Sequence, residues 1–105
     1  MKPIDYRNET WEQVNERVDA LRAVVYRAFQ IHGACTTRQL AHLSGIDILT
    51  LRPRVTELYQ LGLVELANPE TGGGEGVYQA VLIPVAKARF ERKKAEATEA
   101  QMPLL

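Results

Sequence analysis

The segment Thr36–Leu66, TTRQLAHLSGIDILTLRPRVTELYQLGLVEL, constrains the fold of this chain more than any other stretch. A threonine pair opens it, with Gln39 three residues after Thr36. At that spacing a cap hydroxyl and a glutamine amide can each satisfy a helix-end N–H. Leu40, Ala41 and Leu43 give this short helix an apolar side, and Ser44-Gly45 stops it. Ile46 turns inward and Asp47 is a candidate cap for a further helix, whose Leu51, Val55 and Leu58, with Leu61 or Tyr59, face the core. Gly62 ends that helix, and Leu63-Val64-Glu65-Leu66 reads as strand.

Pro53 sits awkwardly in this pattern. Deep in a helix a proline removes one hydrogen bond and crowds the preceding turn, at a cost of ~3 kcal/mol. With Thr50 as the effective cap, Pro53 falls in the first turn, where its N–H is not needed. The expectation is a loose or 3₁₀-like stretch from Asp47 to Leu49 and regular helix from Thr50 to Gln60.

Upstream, residues 1–9 are polar and read as a frayed lead-in. Thr10 and Gln13 form a second capping box, and Trp11, Val14, Val18, Leu21, Val25 and Ala28 recur at helical spacing. That stripe predicts one long amphipathic helix to about Ile31, stopped by Gly33, with Glu12, Glu16, Arg17, Asp19 and Arg27 on the solvated side. Downstream, residues 76–82 read as a second strand, joined to the first through Asn68-Pro69-Glu70-Thr71-Gly72-Gly73-Gly74-Glu75. Pro84 suits a helix start. The helix that follows carries Lys87/Glu91 and Arg92/Glu96 at pairing distance and is expected to fray beyond about Ala95.

At 105 residues the chain suits one domain with a modest core, divided as 1–9, 10–83 and 84–105. No apolar run approaches the ~20 residues that span a bilayer, and the N-terminal residues lack the apolar stretch of a signal peptide. A single cysteine, Cys35, forms no intrachain disulfide, which fits a reduced, cytoplasmic setting. Thirteen basic residues balance thirteen acidic ones. Their distribution is uneven: residues 36–62 carry three basic and two acidic side chains, residues 63–83 three acidic and no basic, and residues 84–105 five basic and three acidic.

The run from Leu40 to Val64, LAHLSGID followed by TLRPRVTELYQLGLVE, resembles that of winged helix-turn-helix domains, in particular MarR-like regulators and small phage or prophage winged-helix proteins. The likeness extends over roughly residues 10–83. It implies a mainly α (α+β) domain in the order helix, helix, helix, strand, strand, helix. It also implies binding to double-stranded DNA, often in transcriptional control and often as a dimer. Carried over by position, the helix beginning near Thr50 is the recognition helix, with Thr50, Arg52, Arg54, Thr56 and Glu57 outward, while Arg38 lies over the DNA backbone. Arginine suits such a role, because its planar fork takes guanine O6 and N7 together or clamps a phosphate. Two features depart from the pattern. Ile48 and Leu49 stand where relatives often carry small polar or basic residues, and the wing has Glu70 and Glu75 in place of cations.

Other readings compete with this one. His32, Cys35 and His42 invite a metal, but structural zinc normally takes four protein ligands, so no metal or cofactor is expected. Cys35 lacks a resolving cysteine for redox sensing, and Gly72-Gly73-Gly74-Glu75-Gly76 precedes a strand without the Lys-Ser/Thr of a phosphate loop. The basic cluster Arg89, Arg92, Lys93 and Lys94, interleaved with Glu91 and Glu96, reads first as a solvated face. The Trp11 end of the first helix and the C-terminal helix are the candidate homodimer surface. No catalytic side chains fall at a convincing spacing, so an enzyme is not expected. The alternative from another class is a protein–protein interaction module, favoured by the neutral charge, the acidic wing, and any apolar patch over Ile48, Leu49 and Trp11.

Overall fold

The computed structural model describes residues 2–68 and 75–99. The elements are α1 (Trp11–Glu16), α2 (Ala20–His32), β1 (Cys35–Thr36), α3 (Thr37–Ser44), α4 (Ile48–Gln60), β2 (Val64–Leu66), β3 (Val77–Ala80) and α5 (Ile83–Glu99). The fold is mostly helical, with a small antiparallel sheet in the order β1-β3-β2. Cys35 pairs with Tyr78 and Thr36 with Val77 on one side of β3, and Val64, Glu65 and Leu66 pair with Ala80, Gln79 and Tyr78 on the other. The two-residue strand β1 is absent from the sequence reading, since no strand pattern announces so short a segment.

The long first helix predicted from the apolar stripe is two helices. Both predicted capping boxes form: Thr10 with Gln13, and Thr36 with Gln39. After Arg17 the chain leaves the helix, and the Asp19 carboxylate caps α2 by accepting from the Arg22 N–H at 2.9 Å. Arg22 Nη1 also donates to the Arg17 carbonyl at 3.2 Å, covering a helix-end group that the break exposes. The break shifts the helical phase. Val25, Ala28 and Phe29 are buried, whereas Leu21, assigned to the core by the unbroken stripe, is exposed.

Leu40 from α3, Leu51, Val55 and Leu58 from α4, and Leu61, Leu63 and Val64 just after it close the core against Val25, Ala28 and Phe29 of α2. Tyr59 is left outside, and Leu43, assigned to the apolar side of α3, is also exposed. Tyr26 donates its hydroxyl hydrogen to the Val81 carbonyl at 2.7 Å, tying α2 to the end of β3. Partial burial raises the Tyr26 phenol above its usual pKa.

Helix α4 begins two residues earlier than predicted, at Ile48, so Pro53 lies inside it. Asp47 occupies the cap position without a side-chain cap bond. Its carbonyl accepts from both Thr50 and Leu51 N–H, at 3.0 and 2.9 Å, a mixed 3₁₀ and α start. The carbonyl that Pro53 leaves without its helical donor belongs to Leu49, which is 75% exposed, so solvent can replace the lost bond. Gly45, in the left-handed conformation at φ 75°, ends α3 and sets the turn into α4.

The lead-in expected to fray instead folds back on the chain. Asn8 and Glu9 N–H donate to the Asp5 carbonyl, and Ile4 and Tyr6 pack against the core. Asn8 and nearby backbone N–H groups hold the Asp5 carboxyl below its ordinary pKa. The C-terminal helix continues to Glu99, beyond the predicted fraying point. The i,i+4 pairs expected along it do not form among the described residues; α5 makes longer-range contacts instead. Its Phe90 packs on Trp11 and Tyr6, at ring-centroid separations of 5.7 and 5.6 Å.

Candidate nucleic-acid interface

Three residues of α4 line the core, Leu51, Val55 and Leu58, and that fixes which residues lie opposite. Leu49, Arg52, Pro53 and Thr56 follow at helical spacing and are all exposed, with Thr50 beside them. Arg52 and Thr56 also line a cleft of about 290 Å³ shared with Val55, with Thr37 of α3, and with Glu75, Gly76 and Tyr78 at the entry to β3. Arg38, one residue along α3, reaches the same place, with its guanidinium 3.0 Å from the Glu75 carboxylate. The fold thus brings Arg38, Arg52 and Thr56 to one surface made by α3, α4 and β3.

The remaining residues predicted for this surface are placed differently. Thr50 is exposed at the start of α4 but does not line the cleft. Arg54 turns toward α2, where Arg54 Nη2 lies 2.5 Å from Glu57 Oε1. Its Nε is buried without a hydrogen-bond partner. Glu57, expected to face outward, is the centre of a bridge. Its other carboxylate oxygen takes the Arg22 guanidinium, so one carboxylate joins two arginines from α2 and α4. Thr56 donates its hydroxyl hydrogen back to the Arg52 carbonyl at 3.2 Å, which leaves only its lone pairs to accept from a ligand. Of the three arginines singled out from sequence, Arg52 alone makes no ion pair among the described residues.

The sequence reading missed Arg22 and Glu57 as a pair, yet a signal was present. Arg22 falls on the line Arg22, Val25, Phe29, at intervals of three and four residues, whose apolar members mark a buried line of a helix. A cation there requires a carboxylate opposite it. Thr37 and Tyr78 also belong to the surface, and their place follows only from the pairing of β1 with β3.

Three basic residues of α5, Arg89, Lys93 and Lys94, are engaged elsewhere. Arg89 Nη1 bonds the Glu65 carboxylate at 2.6 Å, and Lys94 Nζ donates to the Glu9 carbonyl at 2.5 Å. Lys93 Nζ stands 5.6 Å from the centroid of the Tyr6 ring. These cations face the N-terminal segment and β2 rather than α3 and α4. The Arg89 contact, with help from Gln79, holds the Glu65 carboxyl below the usual glutamate range. The candidate homodimer surface is likewise altered. Trp11 is 6% exposed and covered by Phe90, so the apolar surplus expected there is consumed within one chain. The patch proposed over Ile48, Leu49 and Trp11 does not form, because Trp11 is inside and Ile48 half-buried.

Cys35 is buried in β1, and desolvation pushes its thiol above the ordinary pKa, the opposite of what a reactive thiolate needs. Among the described residues no three His, Cys, Asp or Glu side chains converge as a metal site would require. No described helix is long and apolar enough to cross a membrane.

No protein-family model matches this sequence, and no curated protein matches it. Solved structures do share its fold. RV1404 from Mycobacterium tuberculosis superposes with a TM-score of 0.56 at 17% identity, over 89% of this chain and 67% of that one. BpsR of Bordetella bronchiseptica, a protein whose DNA binding is regulated by 6-hydroxynicotinic acid, superposes at 0.54 and 16% identity, over 89% of this chain and 78% of its own. A probable transcriptional regulator from Pseudomonas aeruginosa gives 0.48 at 21% identity, over 89% and 82%. At such identities the likeness is one of fold.

Proposed function

We propose that this chain binds double-stranded DNA as a winged helix-turn-helix domain, with α3 and α4 as the helix pair, α4 as the recognition helix and the β2–β3 hairpin as the wing. The observation that carries the reading is the outer face of α4. Among the described residues it is uncovered, and it presents Arg52 without an ion pair beside Thr56, with Arg38 meeting Glu75 at the edge of the cleft. A helix so exposed fits a major groove. Arg52 reads a base edge or clamps a phosphate, Thr50 accepts or donates and Thr56 accepts at its flanks, and Arg38 anchors the backbone. Arg54 serves from behind, held within α4 by Glu57, the carboxylate that Arg22 of α2 also grips, rather than reaching a base. The fold shared with BpsR, a protein whose DNA binding is regulated, supports DNA binding, and we extend it to a regulatory role in transcription or phage DNA metabolism.

A homodimer would use the outer faces of α1 and α5, since Trp11 is already covered within the chain. It would place two α4 helices in successive major grooves. The second reading, a protein-interaction module, rests on the apolar residues Val24, Ile31 and Leu43, which are exposed around a groove of about 470 Å³ between α2 and α3.

The test is fluorescence anisotropy of a labelled mixed-sequence duplex at low and at physiological salt, with wild type and Arg52→Glu. DNA binding predicts salt-sensitive association that the variant loses. Absence of association by folded wild type at low salt would refute it.

A further inference from the structure

Among the described residues, Glu75 is the acidic side chain that lines the cleft beside Arg52 and Thr56, and its position is built rather than incidental. The backbone beside it is held on both sides. Val77 N–H donates to the Asn68 side chain at 2.9 Å, and a Cβ at Gly76 would come within 2.9 Å of Leu66 and 3.2 Å of Tyr78. A larger residue at Gly76 would have to push the Leu66 side chain aside, and the close approach that glycine allows brings the Glu75 carboxylate to the cleft that Arg52, Thr37 and Thr56 line. There the carboxylate meets Arg38, 3.0 Å away, and Arg38 has no other ion-pair partner among the described residues. Both side chains stay well exposed, at 72% for Arg38 and 46% for Glu75, so the contact can open.

A carboxylate and a DNA phosphate offer an arginine the same two-oxygen acceptor geometry. Resting on the DNA-binding reading above, we infer that Glu75 acts as an internal substitute for the phosphate at Arg38, a built-in competitor that lowers affinity for DNA. Any duplex must displace it. The cost falls on all sequences alike, so duplexes that offer only phosphates are bound weakly. Those that also engage the outer face of α4 through base edges recover the difference. A neutral chain that lacks a general basic excess depends on such base contacts for its binding.

The experiment compares wild type, Glu75→Gln, Arg38→Gln and the double variant on one random-sequence duplex across a salt series. Glu12→Gln on α1, which removes the same charge away from the surface, is the control. The expected result is a gain of about 2- to 5-fold in affinity for Glu75→Gln, in the range that exposed ion pairs support. The slope of log K against log salt should stay near that of wild type, because Arg38 reaches a phosphate in both complexes. In the Arg38→Gln background the gain should fall to that of the Glu12→Gln control. If wild type binds DNA but Glu75→Gln matches the control in affinity, or if its gain survives the loss of Arg38, the inference fails alone. If no form binds at low salt, the DNA reading fails and takes the inference with it.

Discussion

Replacing Glu57 by glutamine should destabilise the fold more than any other single charge change on α4. Glu57 is 13% exposed in its side chain, and the two guanidiniums it joins, on Arg22 and Arg54, are 16% and 26% exposed. The three groups therefore sit between two measured limits. Exposed pairs contribute about 0.2–1 kcal/mol, and removal of one partner from a buried pair costs about 3–5 kcal/mol. Arg22 would keep its bonds to Asp19 and to the Arg17 carbonyl, which limits its share of the loss. Among the described residues Arg54 has no second acceptor, and its Nε already lacks one. A cost of about 2 kcal/mol follows, placed between those limits. For a domain near this size that lowers Tm by roughly 8–15 °C. Thermal unfolding followed by circular dichroism, with Asp19→Asn as a comparison, reads it directly. Asp19 is 54% exposed and should matter much less. A Glu57→Gln shift below about 2 °C would show that the bridge is a solvated contact and that α2 and α4 are held by packing alone.

Further outcomes follow from the same contacts. Trp11→Ala should cost about 3–5 kcal/mol, because Trp11 is where α5 is fastened; denaturant unfolding checks this, and a loss under about 1 kcal/mol would contradict it. Glu65 titrates below the usual glutamate range because Arg89 bonds its charged form. Its stabilising contribution is therefore complete above the ordinary glutamate value and is lost as pH falls through the lowered one, which a carboxyl NMR titration of wild type and Arg89→Gln would follow. The Cys35 thiol is displaced upward by burial, so stability is unaffected below the ordinary thiol value and declines as pH rises past it toward the folded value. Alkylation of native protein near neutral pH should accordingly be slow and should become fast on unfolding. Fast labelling of the folded chain would contradict the burial of β1.

Much of this architecture is legible in the sequence because its signals are local. Both capping boxes depend on residues three apart, and Gly33, Gly45 and Gly62 end their helices with positive φ as their positions suggest. The core of α4 follows from spacing alone. What sequence left hidden depends on partners far along the chain. The break at Arg17–Asp19 is fixed by Arg22, whose own place is fixed by Glu57, 35 residues away. The seam offered by Trp11 is closed by Phe90, which no pattern within α1 can anticipate. Of the site, Arg38, Arg52 and Thr56 were read as candidates from position, whereas the partners that hold Arg38 and Arg54 come from other elements or the next turn. The part of the hairpin containing Glu70 and the three consecutive glycines lies outside the described residues.

The most direct single measurement is an amide NMR titration of the labelled chain with a mixed-sequence duplex at low salt. DNA recognition through α4 predicts shifts concentrated at Thr37, Arg38, Leu49–Thr56 and Glu75, reversed by added salt. No change at those residues, or shifts gathered instead around Val24, Ile31 and Leu43, would contradict it.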